Sequence, residues 1–311
     1  MAAKRRTSRA GFQRSVVTIG VFDGVHRAHQ HVIRTAIRLA HRLRATSIII
    51  TFDPDPHVIL QPASAPPALM PLEARLDALR ALGPDRIVVM PFTKRFAAIT
   101  AEQFVREQLI KRLRTVAVVV GEDFAFGKNR HGDQELLRAL GDAHRIRVVC
   151  VPSMRQDGGP ISSSRIRRLI SLGHLAKATR LLGRPTALYG TVVSGQGRGR
   201  QLGVPTANLA LMPHVLPPRG VYAVTVQEMT SRRRWRGVMN LGVRPTFGPG
   251  PQVCEVHLFG FSGHLAHHSL IVSLHARLRG ERRFATPEAL RRQMQRDITR
   301  THRIFSETSS Q

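Results

Sequence analysis

The pattern of hydrophobic and polar positions in the first half of the chain predicts both strands and helices. Short apolar runs rich in valine and isoleucine each precede or follow a longer segment of helical periodicity. The runs lie at 16–19, 46–52, 86–91, 115–120 and 147–151, and the main helical segments at 29–44, 72–82 and 100–112. This alternation predicts an α/β domain with a doubly wound parallel sheet, whose ligands bind beyond the carboxyl ends of the strands.

The second half has a different pattern. Short strand-like runs separated by glycine and proline lie at 187–193, 220–226, 236–241, 252–259 and 269–277, and a helical segment follows at 286–299. Regularly spaced short strands predict a small antiparallel β-barrel, here with a C-terminal helix. Because Gly183, Arg184 and Pro185 break the last helix of the first half, we predict domains at 15–184 and 185–305 after a basic disordered tail at 1–14.

Three local signals refine the first domain. The stretch 53–71 is rich in proline, so we predict a loop there. Thr100 and Gln103 have the spacing of a capping box, which predicts that a helix begins beside them. Serines at 162–164 precede another helical segment and predict its N-terminal cap.

Charge changes this picture most. The 311 residues include 48 Lys and Arg against 20 Asp and Glu, so the net charge is +28 and the pI is near 11.9. Such a balance favours polyanions such as nucleotides, nucleic acid or anionic lipid. The arginines are spread over both halves, which is typical of solvated helix faces. Aromatic residues are 5% of the chain and form no stacking pattern, so we expect only nonspecific electrostatic binding of nucleic acid.

Cysteine and apolar content bear on the compartment. Cys150 and Cys254 each lie inside a strand-like run, and two such thiols make neither a disulfide framework nor a zinc site. No apolar run reaches the roughly 18 residues needed to span a bilayer. We therefore expect a cytoplasmic protein without a membrane partner, as a monomer or weak homo-oligomer.

The segment after the first strand carries the sharpest chemistry. Gly20, Asp23 and Gly24 form a turn between the strand and a helix, where free N–H groups attract phosphate. His26 and His29 follow at the mouth of the turn, where both rings could reach the same phosphate and stabilise charge that develops during transfer. Paired histidines beside such a turn predict a catalytic nucleotide site.

Motifs in both halves resemble those of the bacterial bifunctional riboflavin kinase/FMN adenylyltransferase family. The segments 20–30 (GVFDGVHRAHQ), 121–133 (GEDFAFGKNRHGD) and 161–167 (ISSSRIR) are similar to the family's nucleotidyltransferase signatures. The segment 197–208 (GRGRQLGVPTAN) is similar to its riboflavin kinase signature, and the resemblance continues through 220–223, 240–247, 255–257, Arg279 and 283–284. It extends over nearly all of 16–304.

The resemblance implies two successive reactions: ATP-dependent phosphorylation of riboflavin to FMN, then adenylyl transfer from ATP to FMN, giving FAD and pyrophosphate. It implies Glu255 as the base of the first reaction and His26 and His29 as catalytic groups of the second. Thr206 and Asn208 offer hard oxygen ligands for Mg²⁺. Nucleotide contacts are expected from Gly20, Phe22, Asp23, Gly24, Ser163, Ser164, Arg165, Arg167, Gly197, Gly199 and Gly203. Flavin contacts are expected from Asp123, Phe124, Phe126, Arg130, Arg244 and Arg279.

Two alternatives stay open at this point. Ala28 and Asp55 occupy positions where the family has Gly and His, and a carboxylate beside a polyphosphate is repulsive. The chain could therefore be a riboflavin kinase whose adenylyltransferase domain is weak or inactive. The second alternative, on the strength of the basic charge, is a nucleic-acid-binding protein that retains an enzyme fold.

Overall fold

The computed structural model describes residues 14–194, 206–243 and 252–308. Contacts divide the chain into two compact units. The first comprises Met1–Pro66 with Leu72–Ile161, and the second comprises Pro67–Pro71 with Ser162–Gln311. The division by contacts thus falls before the two helices that precede residue 184, and the predicted boundary at 184 stays a prediction.

The first unit is built on a parallel sheet. Its five strands follow the order β3-β2-β1-β4-β5, and all neighbours are parallel. Their bounds are β1 Ser15–Ile19, β2 Thr46–Asp53, β3 Arg86–Pro91, β4 Thr115–Gly121 and β5 Arg147–Val151. Valine and isoleucine fill the strands because both faces are covered, and Val16, Val17 and Val118 are fully buried. This confirms the predicted doubly wound sheet.

Helices cover both faces of the sheet. They are α1 Arg27–Leu43, α2 Pro56–Leu60, α3 Leu72–Arg80, α4 Lys94–Ala97, α5 Ala101–Phe104, a π-helical continuation Val105–Arg112, and α6 Gln134–Ala143. Single 3₁₀ turns lie at Asp23–Val25, Pro62–Ser64 and Lys128–Arg130, and a short hairpin joins β6 Arg155–Gln156 to β7 Gly159–Pro160. Leu39 and Ala40 of α1 pack on one face, while Leu109 and Leu137 pack on the other.

Several local predictions need correction. The stretch 53–71 is not a plain loop, because it contains α2 and a 3₁₀ turn. Asp55 accepts a hydrogen bond from the His57 backbone N–H at 2.9 Å and so caps α2, with Pro56 at a helix position where proline is tolerated. The capping box of Thr100 and Gln103 is confirmed, but the helix that it begins passes into π-helical form at Val105.

The second unit is a closed antiparallel barrel, as predicted. The strands follow the order β10-β11-β12-β9-β8-β13. Their bounds are β8 Thr186–Val193, β9 Ala207–Leu211, β10 Gly220–Glu228, β11 Arg234–Val243, β12 Gln252–Leu258 and β13 Ser269–Arg279. The strand β9 was missing from the prediction. Apolar residues such as Met239, Cys254 and Val256 fill the interior, and burial raises the pKa of the Cys254 thiol to about 12.

Three helices complete the described part of the second unit. The helices α7 Ser163–Ser171 and α8 Leu175–Leu182 precede the barrel, and α9 Pro287–Thr308 follows it. Helix α9 packs outside β10, β11 and β13, where Ile304 meets a cluster that includes Val221 and Leu278. The helix continues nine residues beyond the predicted end at 299, to Thr308.

Candidate active site

The turn after β1 is held in a compact form. Phe22 has a left-handed backbone (φ 54°), and the 3₁₀ turn Asp23–Val25 that follows is buried. A Cβ on Gly20 would lie 3.0 Å from the Phe22 ring, so glycine keeps the backbone and the ring in close approach. The predicted residues Gly20, Phe22, Asp23 and Gly24 therefore lie together at the carboxyl end of β1.

His26 begins helix α1 and fixes its own tautomer. Its Nδ1 accepts a hydrogen bond from the His29 backbone N–H at 3.3 Å, which makes His26 the N-cap of the helix. In a neutral imidazole the other nitrogen then carries the proton, so Nε2 of His26 is a donor. The two imidazole rings stack with centroids 3.5 Å apart, and the His29 ring meets Phe22 edge-on at 5.3 Å. The structure thus brings together the two histidines predicted as catalytic.

A buried arginine that the sequence did not identify supports this turn. The Arg75 side chain, from α3, donates to the carbonyl of Val21 at 3.1 Å and to that of Phe52 at 2.8 Å. Thr51 Oγ1 also donates to the Val21 carbonyl, at 2.9 Å. Arg75 is 6% exposed, and burial lowers the pKa of its guanidinium, while carboxylates led by Asp23 act in the opposite direction. Arg75 thereby ties the loop after β1 to the end of β2.

Ala28 and Asp55, the two departures from the family pattern, have ordinary structural roles. Ala28 lies in the first turn of α1, in regular helix, where a Cβ causes no backbone strain. The Asp55 carboxylate, besides capping α2, lies 3.0 Å from Nδ1 of His57. Asp55 also interacts electrostatically with Arg75, so basic neighbours offset the negative charge of Asp55.

The loop after β4 contains the predicted flavin residues of the first unit. The rings of Phe124 and Phe126 stack with centroids 5.4 Å apart, and paired backbone hydrogen bonds join Phe126 to Gly132. A Cβ on Gly132 would lie 2.7 Å from the Phe126 ring, so glycine is required there. Asp123 and Arg130 are both exposed near the ends of this loop.

The sheet order places the two loops side by side. Strands β1 and β4 are neighbours, and the connections from them run to opposite sides of the sheet. The crevice at the carboxyl ends of such a strand pair is where doubly wound sheets bind ligands. The histidine pair after β1 and the phenylalanine pair after β4 therefore flank the binding crevice of the first unit.

In the second unit, the predicted polyphosphate residues lie at the start of helix α7. Ser162, which was not among the predicted site residues, is the N-cap, because its Oγ accepts from the Arg165 backbone N–H at 3.3 Å. Ser163 and Ser164 follow in the first turn, and Nε of Arg167 donates to the carbonyl of Pro67 at 2.8 Å. Two arginines and a helix start favour an anion here.

The barrel carries a carboxylate between two amides. Glu255 is directly opposite Asn208 of β9 on one side and Asn240 of β11 on the other. Its neighbours Cys254 and Val256 face the barrel interior, so Glu255 and both asparagines share the outer face. Thr206 directly precedes β9 and is half-buried. The structure therefore brings together the proposed base and one of the two proposed metal ligands, and adds Asn240.

The Arg279 side chain has several partners within the second unit. Its guanidinium lies 2.9 Å from the Asp297 carboxylate of α9 and donates to the Gly280 carbonyl at 3.1 Å. The Phe284 ring lies under it, with the centroid 5.6 Å away. A flavin contact from Arg279 stays a prediction. The predicted residues Gly197, Gly199, Gly203 and Arg244 lie outside the described residues.

The described residues contain no cluster of three or more His, Cys, Asp or Glu side chains suited to a metal ion. Across the same residues, no helix combines the length and the apolar character required to cross a membrane.

Comparison with known proteins gives two family matches and relatives along the whole chain. A family model described as FAD synthetase matches residues 9–165, and one described as riboflavin kinase matches 182–305. A bifunctional riboflavin kinase/FMN adenylyltransferase from Pseudomonas fluorescens is 38% identical over 91% of this chain and 90% of its own length. The protein of the same name from Escherichia coli K12 is 36% identical over 97% of this chain and 96% of its own length.

A solved structure is similar over both halves as well. It is described as a macrolide-efflux protein from Streptococcus pneumoniae, with a TM-score of 0.83 and 31% identity. The match covers 93% of this chain and 94% of that one. The fold class inferred from the sequence is thereby supported along nearly the full length.

Proposed function

This chain belongs to the bifunctional riboflavin kinase/FMN adenylyltransferase family, and we propose which of its residues carry each of the two reactions. The enzyme phosphorylates riboflavin to FMN with ATP and then transfers an adenylyl group from ATP to FMN. One observation carries the assignment: the stacked histidine pair and the outer-face carboxylate lie in different units. We assign adenylyl transfer to the first and phosphorylation to the second.

In the phosphorylation step, Glu255 accepts the proton of the riboflavin 5′-hydroxyl. The oxygen then attacks the γ-phosphorus of ATP, the bond from that phosphorus to the β,γ-bridging oxygen breaks, and ADP leaves. Asn208 and Asn240 are directly opposite Glu255 on the two neighbouring strands. A positioned general base contributes about 10²- to 10⁴-fold to the rate.

The oxygens beside Glu255 fit a Mg²⁺ ion. The Thr206 hydroxyl and the Asn208 amide carbonyl are hard, neutral ligands, and Mg²⁺ takes such oxygens together with water and substrate phosphates. Asn208 pairs directly with Glu255 on the neighbouring strand, so the proposed metal ligand and the proposed base lie in the same region of the barrel. When bound, the ion neutralises charge on the phosphates.

In the adenylyl transfer step, a phosphate oxygen of FMN attacks the α-phosphorus of ATP and pyrophosphate leaves. No base is needed, because the FMN phosphate is already ionised. Nε2–H of His26 donates a hydrogen bond to the phosphate oxygens on which charge develops, and His29 and the start of α1 add to this stabilisation. Phe124 and Phe126 are proposed to contact the flavin, whereas the nucleotide contacts expected from Ser163, Ser164, Arg165 and Arg167 lie in the second unit and stay a prediction.

The test follows riboflavin, FMN and FAD by chromatography with ATP and Mg²⁺. In the wild-type protein FMN rises first and FAD follows. In Glu255→Gln, FMN formation falls about 10²-fold or more, whereas FAD formation from supplied FMN is unchanged. In His26→Asn the pattern is reversed, because Asn keeps the helix cap and lacks the Nε2–H donor.

Each outcome separates the alternatives. Wild-type protein that accumulates FMN alone would be a kinase with an inactive first unit, which the ordinary roles of Ala28 and Asp55 argue against. Loss of both activities in either variant would overturn the division of the reactions between the units. We further propose that the enzyme works in the cytoplasm as a monomer or weak homo-oligomer, to be checked by light scattering.

A further inference from the structure

The parallel sheet of the first unit has a row of arginines along its amino edge. The row comprises Arg14 before β1, Arg44 before β2, Arg86 at the start of β3, Arg114 before β4, and Arg145 and Arg147 at β5. All six side chains are exposed. Because every strand of the sheet is parallel, these residues share one edge, opposite the carboxyl edge that carries His26 and His29. We call them the amino-edge row.

Hydrogen bonds and a shared depression place these residues next to one another. The Thr46 backbone N–H donates to the Arg14 carbonyl at 3.0 Å, and the Ser15 N–H donates to the Arg114 carbonyl at 3.2 Å. Arg14, Arg44 and Arg86 line one depression of about 570 Å³. Since neighbouring strands lie about 4.8 Å apart, five strands carry the row over roughly 19 Å.

Three members of the row occupy an unfavourable backbone conformation. Arg44, Arg114 and Arg145 have φ values of 49°, 48° and 58°, in the left-handed region. Each lies where a helix ends and the chain turns into a strand, a place that usually takes glycine or asparagine. The corresponding turn before β3 does use glycine, Gly83, with φ 81°. Three turns of this edge therefore carry arginine where local geometry favours another residue.

Neutralisation of helix ends does not account for Arg44 and Arg114, although it does account for Arg145, because the last turn of α6 has no basic residue. Cations near a helix C-terminus are favourable, but the last turn of α1 already has His41 and Arg42, and the π-helical segment already has Lys111 and Arg112. In the part of the chain that the structure describes, no carboxylate lies within ion-pairing distance of any member of the row. The Asp85 carboxylate lines the depression and accepts hydrogen bonds from the Ser47 N–H and hydroxyl, which lower its pKa most, and the charge of Arg86 adds to this effect from outside ion-pairing distance.

The chemistry of the row fits a chain of phosphates. Guanidinium groups bind phosphate oxygens with two parallel hydrogen bonds, and a linear row matches a linear polyanion better than a single small anion. The exposed large apolar side chains that the structure describes in this unit are Val58, Leu60 and Val89, none of which lies at the amino edge. Insertion into a lipid surface would need such residues.

We propose that the amino-edge row binds the phosphodiester backbone of a nucleic acid. The described residues of this edge offer no exposed Phe, Tyr or Trp side chain for base stacking, so the binding rests on the phosphates and is independent of base sequence. The opposite edge of the sheet remains available to the nucleotide substrate. This interaction is separate from flavin synthesis and does not rest on the residues assigned to it.

The test measures binding of the full chain to a fluorescent 30-nucleotide RNA of mixed sequence by anisotropy, over a series of salt concentrations. The variant carries Arg44→Asn, Arg114→Asn and Arg145→Asn, because asparagine accepts the left-handed conformation without the charge. The slope of log affinity against log salt is expected to fall by about 2, since each phosphate contact on a single strand contributes about 0.7. Binding at 0.1 M salt weakens about 100-fold.

The matched control removes the same charge elsewhere. It carries Arg232→Asn, Arg233→Gln and Arg291→Gln, all at exposed positions of the second unit, and Arg232 is itself left-handed with φ 58°. FMN and FAD formation must be unchanged in both triple variants. If the first triple variant fails this check, Arg86→Gln with Arg147→Gln replaces it, since both residues begin strands with ordinary backbone.

Three results would overturn the proposal. Equal loss of affinity in the edge variant and in the control would mean that diffuse charge attracts the RNA. No RNA binding by the wild-type protein at 50 mM salt would remove the proposed ligand. Sedimentation with phosphatidylserine vesicles but not with phosphatidylcholine vesicles, without RNA binding, would assign the row to an anionic membrane.

Discussion

At the scale of single residues, the most consequential side chain outside the substrate-binding groups is Arg75. It is buried on α3 and donates to the carbonyl of Val21, in the loop after β1, and to that of Phe52, near the end of β2. The Val21 carbonyl lies five residues before His26, so the guanidinium fixes the turn from which the histidine pair starts. We infer that Arg75 is a positioning residue for adenylyl transfer.

Replacement of Arg75 by Met should therefore affect one reaction selectively. Two hydrogen bonds from a charged donor disappear, and we expect the free energy of unfolding to fall by about 2–3 kcal/mol. For FAD formation from FMN, the fold decrease in kcat should exceed the fold increase in KM. The reason is that the turn loses its position while the substrate contacts remain. Steady-state kinetics and urea unfolding measure both effects.

The control for this prediction is Arg75→Lys, which keeps the charge but cannot reach both carbonyls with one planar group. It should recover part of the stability and little of the FAD-forming rate. Phosphorylation of riboflavin should stay at the wild-type rate in both variants. A normal FAD-forming rate in Met, or a rate in Lys that recovers in proportion to stability, would contradict the positioning role.

The sequence predicted the histidines but not Arg75, and the reason is physical. His26 and His29 act close to the turn that precedes them, so spacing alone brings them together. Arg75 occurs in a helix among other charged residues and resembles a solvated side chain. Its burial depends on carbonyls 54 and 23 residues away, and no local pattern records such contacts. Asp55 was expected to repel phosphate, because the sequence did not show that its carboxylate caps α2.

At the scale of secondary structure elements, the ion pair of Arg279 on β13 with Asp297 on α9 gives the clearest prediction about stability. Asp297 of α9 accepts two hydrogen bonds from Nε of Arg279 and one from Gln293 at 2.9 Å. The side chains of Arg279 and Asp297 are 14% and 6% exposed. A buried ion pair contributes little net stability when intact, but the loss of one partner leaves an uncompensated charge.

The change Asp297→Ala should therefore destabilise the second unit by about 3–5 kcal/mol. FMN formation should fall as well, because Arg279 and the strand end that carries it lose their fixed position. Denaturant unfolding and the FMN assay measure the two effects. The control Glu288→Ala removes an exposed carboxylate from the first turn of the same helix and should cost far less stability, with FMN formation unchanged. Unaltered stability in Asp297→Ala would mean that packing of Ile304 and Phe305 alone holds α9.

Elements were predictable where their periodicity was strong. The five parallel strands and α1 have long apolar patterns, and their positions agree with the sequence to within a few residues. Helix α2 was missed because three prolines at 54–62 suggested a loop, although Pro56 stands at the start of the helix. Strand β9 was missed because its sequence, ANLAL, has neither β-branched nor aromatic residues, and its pairing with β8 and β12 determines its conformation.

At the scale of the whole molecule, one chain carries two sites that share FMN. Under the proposed assignment, the FMN made at Glu255 is the substrate at His26, and these two residues lie in different units. Since neither proposed reaction needs a covalent bond to the protein, we expect FMN made at Glu255 to leave that site and enter solution. The two activities should therefore be separable by mutation and recoverable by mixing.

A mixture of the Glu255→Gln and His26→Asn chains tests this expectation. Neither chain alone should convert riboflavin to FAD, but together they should, because FMN made by the His26→Asn chain diffuses to the intact site of the other. The lag before FAD appears should lengthen on dilution, since FMN must accumulate in solution before it is captured. An equimolar mixture of wild-type chain with the double variant is the control. The expectation fails if the mixture makes FMN but no FAD while the Glu255→Gln chain converts supplied FMN normally. FMN would then pass between the two sites of one chain without release into solution.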